Sequence, residues 1–237
     1  MKKKIFIANE QDGGIFMSIS ELKAVECPHC LGSNKIVFYS SISPSSDESL
    51  RNSLLNDTLF NYTCIHCGYE ARLSYPVLYN DVNRRFMIYF IPGCDKRVIT
   101  DRVIEYDRSR IAPIKKRVVA DYNSLKEKII IFESGLDDMA IELTKLALKI
   151  KTEKKLGIHT DCGYFSFYDR RKIGFTFFDA DTKEKHLETA GMQVYQKSLG
   201  IAARLGRKQR MSKAFINVDR QWAKEILHRY QRYGFDE

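Results

Sequence analysis

Over residues 22–24 the apolar positions alternate with polar ones. Leu22 and Ala24 lead up to Glu26, and Ile36, Val37, Phe38 and Tyr39 follow Lys35, so residues 22–41 read as strand, knuckle, strand. A polar, Ser-rich stretch follows, in which Ser45-x-x-Glu48 has the form of a capping box ahead of Leu50, Leu54 and Leu55, predicting a short helix. Residues 69–73 and 86–91 have strand composition, and Tyr75-Pro76-Val77-Leu78-Tyr79-Asn80-Asp81 reads as the connection between them. Further on, residues 116–120 predict another strand. Ser124-x-x-Glu127 opens a helix with Leu125, Ile129 and Phe132 on one face, which Gly135 ends. Leu136, Met139, Leu143, Leu146, Ala147 and Ile150 then recur at helical spacing and run into Lys151-Thr152-Glu153-Lys154-Lys155. Residues 163–168 and 173–178 are aromatic strands around a turn at Asp169-Arg170-Arg171-Lys172. Two helices finish the chain, one carrying Met192, Tyr195, Leu199 and Ala202, the other capped by Asp219 and carrying Trp222, Ile226, Tyr230 and Tyr233.

This pattern predicts an α+β protein: a small antiparallel zinc-ribbon-like sheet with a helical pair over residues 1–150, then a C-terminal hairpin-plus-helix segment over residues 151–237. The charged run after Ile150 is the expected boundary. With 237 residues, 44% of them hydrophobic and 12% aromatic, the chain can bury one large core or two small ones, and it is not a disordered polymer. The apolar run Ile5-Phe6-Ile7-Ala8 is too short for a signal-peptide core, and no stretch is long enough to cross a bilayer, so a soluble, cytoplasmic protein is expected. The balance of 39 Lys and Arg against 30 Asp and Glu, net +9, favours polyanionic partners, nucleic acid or an acidic protein.

Candidate chemistry centres on two pairs, Cys27-Pro28-His29-Cys30 and Cys64-Ile65-His66-Cys67. The C-x2-C spacing lets one tight turn aim both sulfurs at a point, and two such turns supply four thiolates, enough to close a tetrahedral shell around zinc. A closed shell is structural and leaves no position for substrate. Iron–sulfur ligation and dithiol redox chemistry use the same residue type, but the redox motif expects one pair at a helix N-terminus in a βαβ setting, and here two pairs lie between strands. His29 and His66 lie inside the pairs and read as exposed knuckle side chains, because four sulfurs already fill the shell. Pro28 and Gly68 suit the turns, whereas Leu31 intervenes before Gly32, so the two knuckles differ in sequence. The remaining cysteines, Cys94 and Cys162, read as small buried apolar residues.

These residues resemble the CpXC family of prokaryotic proteins, over roughly residues 24–148. The resemblance is carried by Phe60-Asn61-Tyr62-Thr63-Cys64-Ile65-His66-Cys67-Gly68-Tyr69-Glu70, by the segment from Tyr75 to Asp81, by Phe86-Met87-Ile88-Tyr89, and by the stretch from Glu127 to Asp138. Ile65 departs from the proline that the motif's name expects, which loosens the turn without touching the sulfurs. The resemblance implies the four-cysteine site and the architecture; it implies no reaction.

Outside the cysteines, Glu133, Asp137, Asp138 and Glu142 gather around Gly135, and Asp137, Asp138 and Glu142 could be read as a metal-dependent nuclease site. Equally, Asp137 and Asp138 occupy a helix first turn, where negative charge offsets the macrodipole, and no His or Lys is expected nearby as a general base. Arg204, Arg207, Lys208, Arg210 and Lys213 form an acid-free basic cluster, the best candidate for nucleic-acid binding, which Arg108, Arg110, Lys115, Lys116 and Arg117 could extend. Tyr164, Phe165, Phe167 and Tyr168 beside Arg170, Arg171 and Lys172 could stack on bases, though such alternation more often builds a hairpin core. The familiar nucleotide, zinc-protease and hydrolase motifs do not occur. The expected function is therefore binding of an acidic partner on a zinc-stapled scaffold. The contrasting readings are an enzyme of the nuclease type and a protein-interaction adaptor presenting His29, His66 and Tyr69.

Overall fold

The computed structural model describes residues 17–95, 98–99 and 114–233. The chain resolves into two compact units, Met1–Met87 and Ile88–Glu237.

In the first unit, β1 (Ile19–Glu26) and β2 (Ser33–Ile42) form an antiparallel hairpin with Leu22 opposite Val37 and Glu26 opposite Ser33. The first cysteine pair sits at its tip. After α1 (Glu48–Leu55), the short strands β3 (Asn61–Thr63) and β4 (Glu70–Arg72) make a second hairpin tipped by the second pair. The segment expected as a connection is instead the strand β5 (Val77–Asp81), buried along nearly all its length, followed by β6 (Phe86–Phe90). β5 lies parallel to β2, Ser41 against Leu78 and Ile42 against Tyr79, so the sheet is mixed rather than purely antiparallel. The reason is the connection: α1 and the second hairpin intervene between β2 and β5, and a crossover of that length returns the chain in the same direction. Ile42, Leu54, Phe60, Val77, Tyr79 and Phe86 are each no more than 2% exposed and form the core of this unit.

The cap of α1 differs from expectation. Asp47, not Ser45, accepts the N–H groups of Ser49 and Leu50. Likewise α2 (Tyr122–Glu133) is capped three residues before the expected Ser124, with Asp121 accepting from the Ser124 N–H. Both corrections have one cause: a carboxylate next to the first helical residue reaches the free N–H groups and also meets the positive end of the macrodipole.

In the second unit, β8 (Lys115–Val119) pairs in parallel with β12 (Phe215–Ile216), which pairs antiparallel with β7 (Val98–Ile99). β9 (Thr160–Tyr168), β10 (Lys172–Asp179) and β11 (Lys185–Gly191) form a separate antiparallel sheet, so the expected aromatic hairpin gains a third strand. The helix α3 (Asp138–Leu156) is the centre of this unit. Ala140, Ile141 and Leu148 face Phe165, Ile173, Phe175, Phe177 and Ala190 of the sheet. Met139, Leu143 and Leu146 meet Ala202 of α4 (Met192–Leu205) and Trp222, Ala223 and Ile226 of α6 (Arg220–Tyr233). The run 151–155 forms the last turns of α3, where Lys154 and Lys155 suit the negative end of the dipole before left-handed Gly157 stops the helix. Asp219 caps α6 by accepting the Trp222 N–H, as expected. Among the described residues no helix is long and apolar enough to cross a membrane.

Candidate metal centre

Each hairpin tip is a tight turn closed by two main-chain hydrogen bonds. In the first, Cys27 N–H donates to the Gly32 carbonyl at 3.0 Å and Leu31 N–H to the Cys27 carbonyl at 2.9 Å. In the second, Cys64 N–H donates to Tyr69 at 2.8 Å and Gly68 N–H to Cys64 at 2.9 Å. The residue after the second cysteine is left-handed in both, Leu31 at φ 62° and Gly68 at φ 70°. The two knuckles are therefore conformational twins although their sequences differ. Leu31 accepts a conformation that costs an L-residue about 1 kcal/mol. Gly32 is needed for another reason, since a Cβ there would lie 2.6 Å from the His66 ring.

The four Sγ atoms of Cys27, Cys30, Cys64 and Cys67 all lie within 4.8 Å of one another, the group of metal-ligating side chains among the described residues so placed. Cys27 and Cys67 are 3.8 Å apart, Cys30 and Cys64 3.7 Å. A tetrahedron with metal–sulfur bonds of about 2.3 Å has edges of about 3.8 Å. A disulfide would bring two sulfurs to about 2.05 Å. The donor set and its spacing thus fit a single tetrahedral ion held by four thiolates.

Main-chain dipoles converge on the same sulfurs. Burial resists ionisation of Cys64, but the N–H groups of His66 and Cys67, helped by Asn34, hold its thiol down at about 5. Cys27 is lowered in the same way, against its burial, by the N–H groups of Cys30 and His29. The outer sulfurs behave oppositely: Tyr69 N–H draws Cys67 down, yet burial and the neighbouring sulfurs push it up to about 12. Cys30, bonded by Gly32 N–H, is raised for the same reasons. Four thiols this close cannot all ionise on their own, so a cation is what would let all four do so.

Asn34 is a site residue that sequence reading missed. Only 2% exposed, its Nδ2 donates to the Gly32 carbonyl at 2.9 Å and to Cys64 Sγ at 3.5 Å, while its Oδ1 accepts the Ile65 N–H at 2.9 Å. One amide ties the first knuckle to the second. Its signal was present, a polar residue sharing a strand face with Ile36 and Phe38. Tyr62, 5% exposed, packs with Cys27 and Cys64, and its burial beside these sulfurs disfavours phenolate. The histidines have other partners: His66 Nε2 lies 3.1 Å from the Ser33 carbonyl, and His29 stacks on Tyr69 at 6.0 Å. Each knuckle's histidine packs on the opposite knuckle.

The other expected residues are differently placed. Asp138, fully buried, takes both Arg117 Nε at 2.6 Å and Arg117 Nη2 at 2.8 Å, with Lys128 at 3.3 Å. Glu142 meets Lys128 at 3.2 Å and Lys145 at 3.0 Å, and Lys145 continues to Glu127 at 2.9 Å. Asp137 caps α3 and pairs with Arg210 at 2.5 Å. The three carboxylates considered for a nuclease site are thus each neutralised by a cation. The expectation that no Lys stands near these carboxylates is corrected: Lys128 on α2 and Lys145 on α3 lie within 3.3 Å of Asp138 or Glu142, because the two helices pack these residues together. Of the basic cluster, Arg204, Arg207, Lys208 and Lys213 are exposed, whereas Arg210 turns to Asp137; residues 207–210 form a short helix, α5 (Arg207–Arg210). In the extending group, Arg117 is buried with Asp138, and Arg108 and Arg110 lie outside the described residues. Phe165 lies in the core, so the aromatic strands build the sheet's buried face, while Tyr168 is exposed. Cys94 and Cys162 are half-buried in the wall of a cavity of about 420 Å³ in the second unit, not fully enclosed as expected.

No curated protein and no solved structure matches the chain. Residues 25–145 match the family described as CpXC protein, from the strand before the first knuckle to the middle of α3. Both cysteine pairs and Asn34 fall inside the match, and the chain belongs to the CpXC family.

Proposed function

We propose that Cys27, Cys30, Cys64 and Cys67 hold one zinc ion as a structural staple, and that the protein works as a binding module for an acidic polymer, nucleic acid foremost. The observation that carries the first part is the pair of sulfur separations, 3.7 and 3.8 Å, which are the edges of a zinc–thiolate tetrahedron. Four thiolates complete that shell, leaving no position for a substrate or an activated water, so the ion stabilises rather than reacts. One zinc per chain, and loss of the first unit's fold on chelation, are the expected results of elemental analysis and circular dichroism. Iron in its place, or a metal-free protein with an intact fold, overturns this part.

The polymer-binding part rests on the net charge of +9 and on the exposure of Arg204, Arg207, Lys208 and Lys213. Counterion release makes such binding strongly salt-dependent. Titration of single-stranded DNA, double-stranded DNA and RNA at low and physiological salt tests it. The double variant R207E/K208E is expected to weaken binding to all sequences alike and to flatten the salt slope. No binding at low salt, or binding that ignores the charge reversal, rejects it.

A second reading, an adaptor for a protein partner, is supported by the knuckle tips, where Leu31 is 69% and Ile65 80% exposed next to the His29–Tyr69 stack. Leu31→Ser with Ile65→Ser would then abolish partner capture while zinc content stays unchanged.

A further inference from the structure

β1 ends the strand order of its sheet, and among the described residues nothing pairs with its outer edge. Seven of its eight residues are exposed, and it contains no proline; its one irregularity lies at its start, between Ile19 and Ser20. Long regular edges of this kind are what proteins usually blunt, because their free N–H and C=O groups template another strand. We infer that this edge docks a second copy of the chain, the two β1 strands pairing antiparallel about a two-fold axis at Leu22.

The choice of occupant and register comes from the strand's own charges. When two identical strands pair about a two-fold axis, directly opposed residues must both turn their main chain toward the partner, so the axis passes through a residue position and not between two. Centring on Glu21 sets Glu21 against itself, and centring on Lys23 sets Lys23 against itself. Centring on Leu22 sets Glu21 against Lys23 of the other copy twice, and Ser20 against Ala24 twice. The charged pair is already held in place: Lys23 meets Glu21 of its own strand at 2.5 Å and lies over the Phe38 ring at 5.2 Å. On the opposite face Leu22, 62% exposed, stands beside Val37, 45% exposed, in register. Joining two copies would align Val37, Leu22, Leu22 and Val37 in one apolar row across the two-fold, with the four charges on the other face. Opposite charges and branched side chains directly across strands are the pairs that stabilise a ladder.

The experiment is sedimentation analysis of the zinc-loaded full chain across a concentration series, with variants at the two charges. Wild-type protein is expected to sediment as a dimer. Glu21→Lys and Lys23→Glu each place like charges opposite each other twice and are expected to weaken self-association by roughly tenfold or more. The double exchange E21K/K23E restores it. An equimolar mixture of the two single variants also restores it, because each copy then offers two like charges to two opposite ones. Unchanged zinc content and circular dichroism confirm that the variants fold. A monomeric wild type, as when the chain's own N-terminal residues or another protein cover the edge, overturns the inference. So does a dimer that ignores both single reversals, or single variants whose mixture stays monomeric.

Discussion

At the scale of single residues, the cysteines announce themselves and their support does not. A C-x2-C pair is legible because the spacing itself is the geometric requirement. Asn34 is not, because its value comes from bonding Cys64 and Ile65 of the second knuckle, 30 and 31 residues further along the chain. With both ends of its amide committed, Asn34→Ala would leave the Ile65 N–H unpaired and withdraw a donor from Cys64. Outer-shell losses of this kind weaken metal retention by about 10- to 100-fold. Competition with a chelator of known affinity should show that loss while the metal-to-protein ratio at excess zinc stays the same. Asn34→Asp should be worse, since a carboxylate would accept from Ile65 but repel the thiolate. Leu31 teaches the converse. Its sequence reads as a break in the motif, yet it adopts the left-handed turn that Gly68 adopts in the second knuckle, because four sulfurs converging on one point dictate the backbone whatever side chain is present.

At the scale of elements, helix existence was readable from apolar spacing, and helix starts were not. Two capping boxes looked right by pattern, but in both cases an aspartate nearer the first turn holds the free N–H groups. The comparison at α1 is a direct test. Asp47→Ala should cost about 1 kcal/mol of stability, the usual loss for an N-cap, whereas Ser45→Ala should leave the urea midpoint unchanged. In sequence β5 reads as a connection, because Pro76, Asn80 and Asp81 are turn formers. It is a strand because β2 and β6 flank it and its side chains Val77 and Tyr79 are wholly buried. Turn residues signal a local preference of a few tenths of a kilocalorie to about one, which burial of two large apolar side chains exceeds. β11, with three of its seven residues charged or histidine, gave no strand signal either; it is recruited by its ladder with β10.

At the scale of the whole molecule, the distinctive feature is the chain of alternating charges inside the second unit: Arg117, Asp138, Lys128, Glu142, Lys145 and Glu127, all buried or nearly so. Burial disfavours the Asp138 carboxylate, yet Arg117 and then Lys128 hold it well below the usual carboxylate range. Glu142 is likewise lowered, by Lys145 and Lys128 against its burial, whereas burial raises Glu127 despite Lys145. For a carboxylate whose folded pKa is depressed, the stabilisation is full above its unfolded value of about 3.9 and is lost as pH falls through the folded value. Stability should therefore decline below about pH 4 through Asp138 and Glu142, whereas Glu127, raised by burial, adds stability only at higher pH, as pH falls from its folded value toward its unfolded value of about 4.3. Asp138→Asn should lower stability at neutral pH by about 3–5 kcal/mol, because Arg117 is left buried without its charge partner, and should flatten the acid limb. Urea unfolding followed from neutral to acid pH reads both effects. A neutral-pH loss under 1 kcal/mol would contradict this account of the network. What the amino-acid sequence determined by itself is whatever depends on spacing along the chain: the two cysteine pairs, the family, the amphipathic helices, the Asp219 cap and the basic composition. What only the tertiary structure decided is whatever depends on distant residues meeting. That includes the cage of four sulfurs with Asn34 across it, the parallel pairing of β2 with β5, the withdrawal of Arg210 and Arg117 from the basic surface, and the neutralisation of Asp137, Asp138 and Glu142. Charges and polar groups declare their type in a sequence, but burial and partners set what they do, and both are properties of the packed chain.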